Sequence, residues 1–281
     1  MARSTNRRVI AALLALTCLA MAPAKAPQRG VFALYGAKPV LRSLLTAHPS
    51  AGGDELNIVQ YAIGSNVPVT RYDLDATQSM HLVVVRDDFR KFMHLHPVLH
   101  DNGHFTIAVA LDAGHRFYAY ADTTPHGHSQ QVYRFVLEAG VPPRKLDTSV
   151  AASSPSADVG PYRVTLAATR IHANRAMVMS TTIKRDGRIA RDLHPYLGAA
   201  AHAVFIDTAS LDYIHVHPVD SRAGSMEHAM AAMSAMPTLP ANATLDGRMS
   251  LRIPKLARGA YKMWLQFRGG STLYVAPFTI V

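Results

Sequence analysis

Apolar and polar residues alternate in short runs along most of the chain. Leu56-Asn-Ile-Val-Gln-Tyr-Ala-Ile and Ala176-Met-Val-Met-Ser-Thr-Thr-Ile read as strands, each closed by a turn at Gly64-Ser65-Asn66 or Asp186-Gly187. Matching strands follow at 103–109 and 247–253, at 116–121 and 260–267, and at 132–137 and 273–280. Each half then holds about seven short strands in roughly 110–120 residues, the pattern of an antiparallel β-sandwich. The expected fold is all-β.

The two halves repeat each other. His81-Leu-Val-Val-Val-Arg-Asp-Asp-Phe-Arg-Lys-Phe-Met-His94-Leu-His96-Pro97 and His202-Ala-Val-Phe-Ile-Asp-Thr-Ala-Ser-Leu-Asp-Tyr-Ile-His215-Val-His217-Pro218 share the form H-x12-H-x-H-P at an offset of 121 residues. The expected organisation is a secretory signal at 1–26, a first sandwich at 27–145, a linker at 146–160 and a second sandwich at 161–281. An insertion at 221–244 interrupts the second sandwich. Within it, 225–236 has helical spacing and stops at Pro237.

The signal rests on Arg3, Arg7 and Arg8 ahead of an apolar run at 9–22, with small-x-small sites at Ala20-Met21-Ala22 and Ala24-Lys25-Ala26. Such a run falls short of the roughly 20 residues that span a bilayer as a helix. The expectation is therefore a periplasmic or secreted chain with no stable transmembrane span. A lipoprotein through Cys18, or a membrane anchor, is the lesser alternative, since Thr17 fits a lipobox poorly.

Composition narrows the function. Of 281 residues 49% are apolar and 17% charged, so a sizeable core is available and a solvated disordered chain is excluded. The formal charge of +10 contains no Lys/Arg run, which removes nucleic acid as an expected partner. Cys18 is the one cysteine, so the rest of the chain has no disulfide, no Cys-type zinc site and no catalytic thiol. The unusual counts are 15 His and 12 Met.

Strand side chains alternate, so His94 and His96 share a face, as do His215 and His217. A turn centred on Asp87-Asp88 places His81 opposite His94. A turn centred on Thr208-Ala209 places His202 opposite His215. Each hairpin then gathers three imidazoles, a metal site with an open position. Met226, His228, Met230, Met233 and Met236 form a second candidate ligand set, because thioethers are soft ligands that select Cu(I). The Met spacing of 4, 3 and 3 equally suits the packing face of a helix. Copper is the expected ion, with zinc the alternative. His100, His104 and Asp220 are candidate fourth ligands, and His126-Gly-His128 is a weaker loop pair.

The stretches His81 to Pro97 and Pro195 to Pro218, with the strand Tyr261-Lys-Met-Trp-Leu-Gln-Phe267, resemble a group of exported bacterial proteins often labelled heavy-metal-binding or copper-related. The resemblance implies two tandem immunoglobulin-like sandwiches, export and metal handling. The expected function is a metal-binding chaperone, buffer or resistance factor, with a copper transporter or cuproenzyme as partner. One alternative is a metal-dependent hydrolase or oxidase, although no carboxylate repeats beside the two trios to serve as general base. Another is a non-catalytic structural or adhesion module with a pH-sensitive histidine surface.

Overall fold

The computed structural model describes residues 26–50, 53–137, 141–142, 151–221 and 238–281. Residues 1–25 of the expected signal and the segment carrying Met226, His228, Met230, Met233 and Met236 lie outside the described residues, as do 146–150 of the expected linker. Among the described residues every regular element is a strand, and no helix is long and apolar enough to cross a membrane.

The strands form four antiparallel sheets, two in each half. In the first half an outer sheet runs in the order Gln28–Arg29, Leu41–Ser50, Gly53–Ala62, His104–Val109, Val98–Leu99. The inner sheet runs Val31–Phe32, Gln131–Leu137, Phe117–Pro125, His81–Arg86, Phe92–Leu95. The second half repeats the plan. Its outer sheet is Ser156–Val159, Tyr162–Leu166, Met177–Arg185, Arg248–Ile253, Val219–Asp220. Its inner sheet places Tyr261–Gly269 between Thr272–Ile280 and His202–Asp207, with Tyr213–Val216 at the edge. Ser156–Val159, inside the stretch read as linker, is thus an edge strand of the second half.

Each half buries a core between its own two sheets. Leu56, Ile58, Leu82, Val84, Phe105 and Phe117 belong to the first; Val164, Ile183, Phe205, Leu251, Leu265 and Phe267 belong to the second. A third apolar cluster lies between the two inner sheets, where Val83, Val85, Tyr118 and Tyr120 meet Val204, Ile206, Tyr213 and Trp264. The sequence explains this layer. Leu82-Val-Val-Val85 and Ala203-Val-Phe-Ile206 are apolar at every position, as strands buried on both faces must be. Trp264 stacks on Phe92, ring centroids 5.0 Å apart. The chain's first strands also stitch the halves together: Tyr213 N–H donates to the Ala33 carbonyl at 2.8 Å, and Tyr35 N–H donates to the Tyr213 carbonyl at 3.2 Å.

The hairpin register departs from expectation. Val83 pairs with His94 and Leu82 with Leu95, which puts His81 opposite His96 rather than His94. In the second half Val204 pairs with His215 and Ala203 with Val216, which puts His202 opposite His217. The turns are the cause. Phe89 takes a left-handed φ of 59° while Asp88 Oδ1 accepts from the Arg90 N–H. Leu211 takes φ of 62° while Asp207 Oδ1 accepts from the Ala209 and Ser210 N–H groups. Both caps move the turn centre one residue along and the pairing by two. A slip of two preserves the face, so all three rings of each trio still point one way. Met93, Leu95, Ile214 and Val216 pack on the opposite side, against the cores of their own halves.

Candidate metal centre

Because the inner sheets pack face to face, the two trios meet. Within the first, ring centroids are 5.0 Å (His81–His94), 5.1 Å (His81–His96) and 4.8 Å (His94–His96) apart. Within the second they are 5.5 Å (His202–His215), 4.7 Å (His202–His217) and 4.7 Å (His215–His217). Between trios, His81 lies 5.0 Å from His215 and His94 lies 5.1 Å from His202. The six imidazoles form one cluster at the junction of the two halves.

Local backbone fixes the ring orientations. Asp75–Gln78 and Tyr196–Ala199 are tight turns closed by reciprocal backbone bonds of 2.9–3.1 Å. They require positive φ at Ala76 and Thr77 in one, and at Leu197 and Gly198 in the other. Thr77, β-branched at φ of 89°, is held in a conformation such residues avoid. Each turn aims a carbonyl inward: His81 Nε2 donates to the Asp75 carbonyl at 3.0 Å, and His202 Nε2 to the Tyr196 carbonyl at 3.0 Å. A carbonyl can only accept, so both Nδ1 atoms present lone pairs.

Those lone pairs face a second histidine. His81 Nδ1 is 2.8 Å from His94 Nε2, and His202 Nδ1 is 3.3 Å from His215 Nε2. The far nitrogens of these second rings are held from the opposite half. His94 Nδ1 donates to Gln266 Oε1 at 2.8 Å, and His215 Nδ1 lies 3.2 Å from Asp122 Oδ2. Asp122 pairs with His81 across its own sheet and Gln266 with His202 across its own, so each half braces the other's ring. With Gln266 Oε1 accepting, two lone pairs oppose each other in the first trio, and in the second they do so when Asp122 is ionised. His96 Nε2 and His217 Nε2 are buried as well and have no hydrogen-bond partner. A buried polar atom without a partner calls for a cause.

A cation supplies one. With metal–nitrogen bonds of about 2.0–2.1 Å, two ligands on one ion lie about 2.8 Å apart at a right angle and about 3.3 Å apart at a tetrahedral angle. The two measured separations match these values. Ligand atoms of His81, His94 and His96 all lie within 4.8 Å of one another, as do those of His94, His202 and His215. Asp75 forms a third such group with His215 and His217. The donor set is therefore suited to a metal, and its carboxylate, amide and carbonyl partners orient the rings as such partners do in metal sites.

Electrostatics favour the metal-binding protonation state. Burial holds His94, His202 and His215 well below the ordinary imidazole range, and the neighbouring rings push the same way. His81 and His217 are lowered by burial against the opposing charge of Asp75. His96 falls to about 4, mainly through burial. The rings are neutral near pH 7, the form that ligates. Burial, with the Asp75 charge second, pushes the Asp122 carboxyl up to about 8. Without a metal, Asp122 therefore keeps its proton at neutral pH and donates to His215 Nδ1. The His215 ring hydrogen then moves to Nε2 and points at His202 Nδ1. A cation would stand where that proton stands. Gln266, an amide, fills the equivalent place with no ionisable proton.

The other candidates lie elsewhere. His100 Nε2 bonds Thr106 Oγ1 at 2.7 Å and His104 Nδ1 bonds Asn57 Oδ1 at 2.9 Å, both on the first outer sheet. Asp220 Oδ2 accepts from the Asp246 N–H at 3.1 Å on the second. His126 pairs with Asp73 at 2.7 Å on the surface. Sequence reasoning missed Asp75, Asp122 and Gln266. The last two had a signal: each is the first polar residue after a run of apolar ones, Phe117-Tyr-Ala-Tyr-Ala121 and Met263-Trp-Leu265, at equivalent positions of the repeat. Asp75 had none, since its counterpart is Tyr196.

Residues 157–281, which include His202, His215 and His217, match a family model described as Domain of unknown function (DUF8832). No curated protein matches the chain.

Proposed function

We propose that this chain is an exported metal-binding protein, built from tandem immunoglobulin-like sandwiches, that holds copper at the junction of its halves as a buffer, chaperone or resistance factor. The observation that carries the reading is the set of opposed ring nitrogens, 2.8 Å and 3.3 Å apart, beside the partnerless Nε2 atoms of His96 and His217. Copper is favoured because imidazole sites bind it most tightly among the divalent first-row metals, and the Met-rich stretch adds soft donors suited to Cu(I). Export is supported by the basic, apolar and small-residue order at 1–26. Storage or transfer is favoured over turnover because Asp122, a buried acid at the cluster, is committed to His215 and Gln130.

Metal analysis of the purified protein after copper loading and desalting tests the reading. Copper should co-purify with the wild type and be lost from the His96→Ala/His217→Ala double variant. Equal copper in both refutes the histidine site.

A further inference from the structure

We infer that the ion is a clasp between the two halves: its ligands come from both at once, so metal uptake and docking of the halves are one coupled equilibrium. This rests on the metal reading above and adds which residues share the ion and what the ion does to the molecule.

The donors that converge carry the inference. Two of the groups whose ligand atoms come together cross the junction. His94 of the first half joins His202 and His215 of the second, and Asp75 of the first half joins His215 and His217 of the second. Among the described residues, the donors of the second half therefore reach an ion only together with His94 or Asp75. The groups also overlap. His94 belongs to a crossing group and to the group with His81 and His96, and His215 belongs to both crossing groups. These two shared rings are the two that the opposite half holds: Gln266 accepts from His94 Nδ1 at 2.8 Å, and Asp122 stands 3.2 Å from His215 Nδ1. Even the group His81, His94 and His96 thus takes the orientation of one ring from the second half.

Asp75 gives the centre its carboxylate. Its backbone carbonyl orients His81, while its carboxylate stands 3.7 Å from His217 Nδ1. The side chain is 40% exposed, so this crossing group opens toward solvent whereas His94 and His202 are buried. When the halves part, each crossing group is divided and His94 loses its brace. The ion then binds weakly, and by linkage its presence favours the docked form by the same factor. The apolar layer at Val83, Ile206 and Trp264 sets the docked geometry, and the ion tightens it.

Competition with a chromogenic chelator measures the Zn(II) affinity of the full chain and of single variants in both halves. His94→Gln in the first half and His202→Gln in the second should each lower it about 100-fold or more, since losing a ligand costs at least as much as losing a ligand's orienting partner. Asp75→Asn keeps the carbonyl that bonds His81 and should lower it about 10-fold. A loss confined to the variants of one half places the ion within that half, which overturns the clasp and spares the metal reading. A second measurement needs no ligand variant. Cys18→Ser with Ile206→Cys puts the one thiol at a position that is 0% exposed in the apolar layer, about 13 Å along the strand from His202. Labelling by a thiol reagent then reports parting of the halves. Zn(II) at about 100 times its Kd should slow the labelling about 100-fold. An unchanged labelling rate on saturation with Zn(II) overturns the clasp alone. A full chain that takes up neither Zn(II) nor Cu(II) sinks the clasp and the metal reading together.

Discussion

Acidifying the metal-free protein sets two groups at the junction against each other. His94, His202 and His215 are kept neutral by burial, whereas in the unfolded chain they titrate near 6.5. A depressed histidine destabilises the fold as pH falls through the unfolded value, because only the unfolded chain takes the proton. Between about pH 7 and pH 5.5 each costs about 1.2 kcal/mol, and the three together about 4 kcal/mol. Asp122 acts oppositely. Its carboxyl is pushed up to about 8, so the folded state holds a proton that the unfolded state does not. Over the same interval it returns about 2 kcal/mol. The histidines win, and His81 and His217, also lowered, add to the loss. Stability should fall by roughly 2–4 kcal/mol, a large share of the 5–15 kcal/mol of an ordinary domain. The assay is guanidinium unfolding in a chelator, read through Trp264, the one tryptophan, which is 3% exposed at the interface. Asp122→Asn removes the opposing group, so its stability should drop about 2 kcal/mol further over the same interval. A wild-type midpoint that stays level or rises on acidification refutes the buried neutral cluster.

The Asp/Gln difference between the trios predicts unequal proton release. At pH 7, below the Asp122 value of about 8, metal entering the second trio should expel close to one proton, and metal entering the first close to none. Titration of the wild type and of Asp122→Asn in weakly buffered solution measures the release; equal release from both contradicts the role assigned to Asp122. Gln266→Leu strips the His94 Nδ1 partner, and metal affinity of the first trio should drop about 10–100-fold although the mutated residue belongs to the second half. Competition against a chromogenic chelator reads this, and unchanged affinity argues against bracing across the junction. Trp264→Ala opens a void against Phe92 and should cost about 3–5 kcal/mol in chemical denaturation. A cost below about 1 kcal/mol would mean that the inner sheets are not closely packed.

The trios were legible because strand parity is robust. His-x-His sets two rings on one face whatever the turn does, and an error of two residues in register leaves that face unchanged. The register itself was not legible, since it depended on Phe89 and Leu211 adopting left-handed backbone, which bulky apolar residues rarely do. The meeting of the trios was also missed. Its signal lay in Leu82-Val-Val-Val85 and Ala203-Val-Phe-Ile206, whose lack of alternation marks burial on both faces. Asp122 and Gln266 followed from the same oversight: polar residues on doubly buried strands need partners, and theirs lie across the junction.

The bond from Tyr213 to Ala33 carries a consequence for how the molecule is made. Ala33 leaves the ribosome well before Tyr213, and its backbone acceptor waits for a donor 180 positions later in the chain. Until then the nascent first half exposes an open strand edge and a greasy sheet face carrying Val83, Val85 and Tyr120. Such a chain should depend on holding factors during synthesis, and truncations ending before Tyr213 should aggregate where the full-length polypeptide stays in solution.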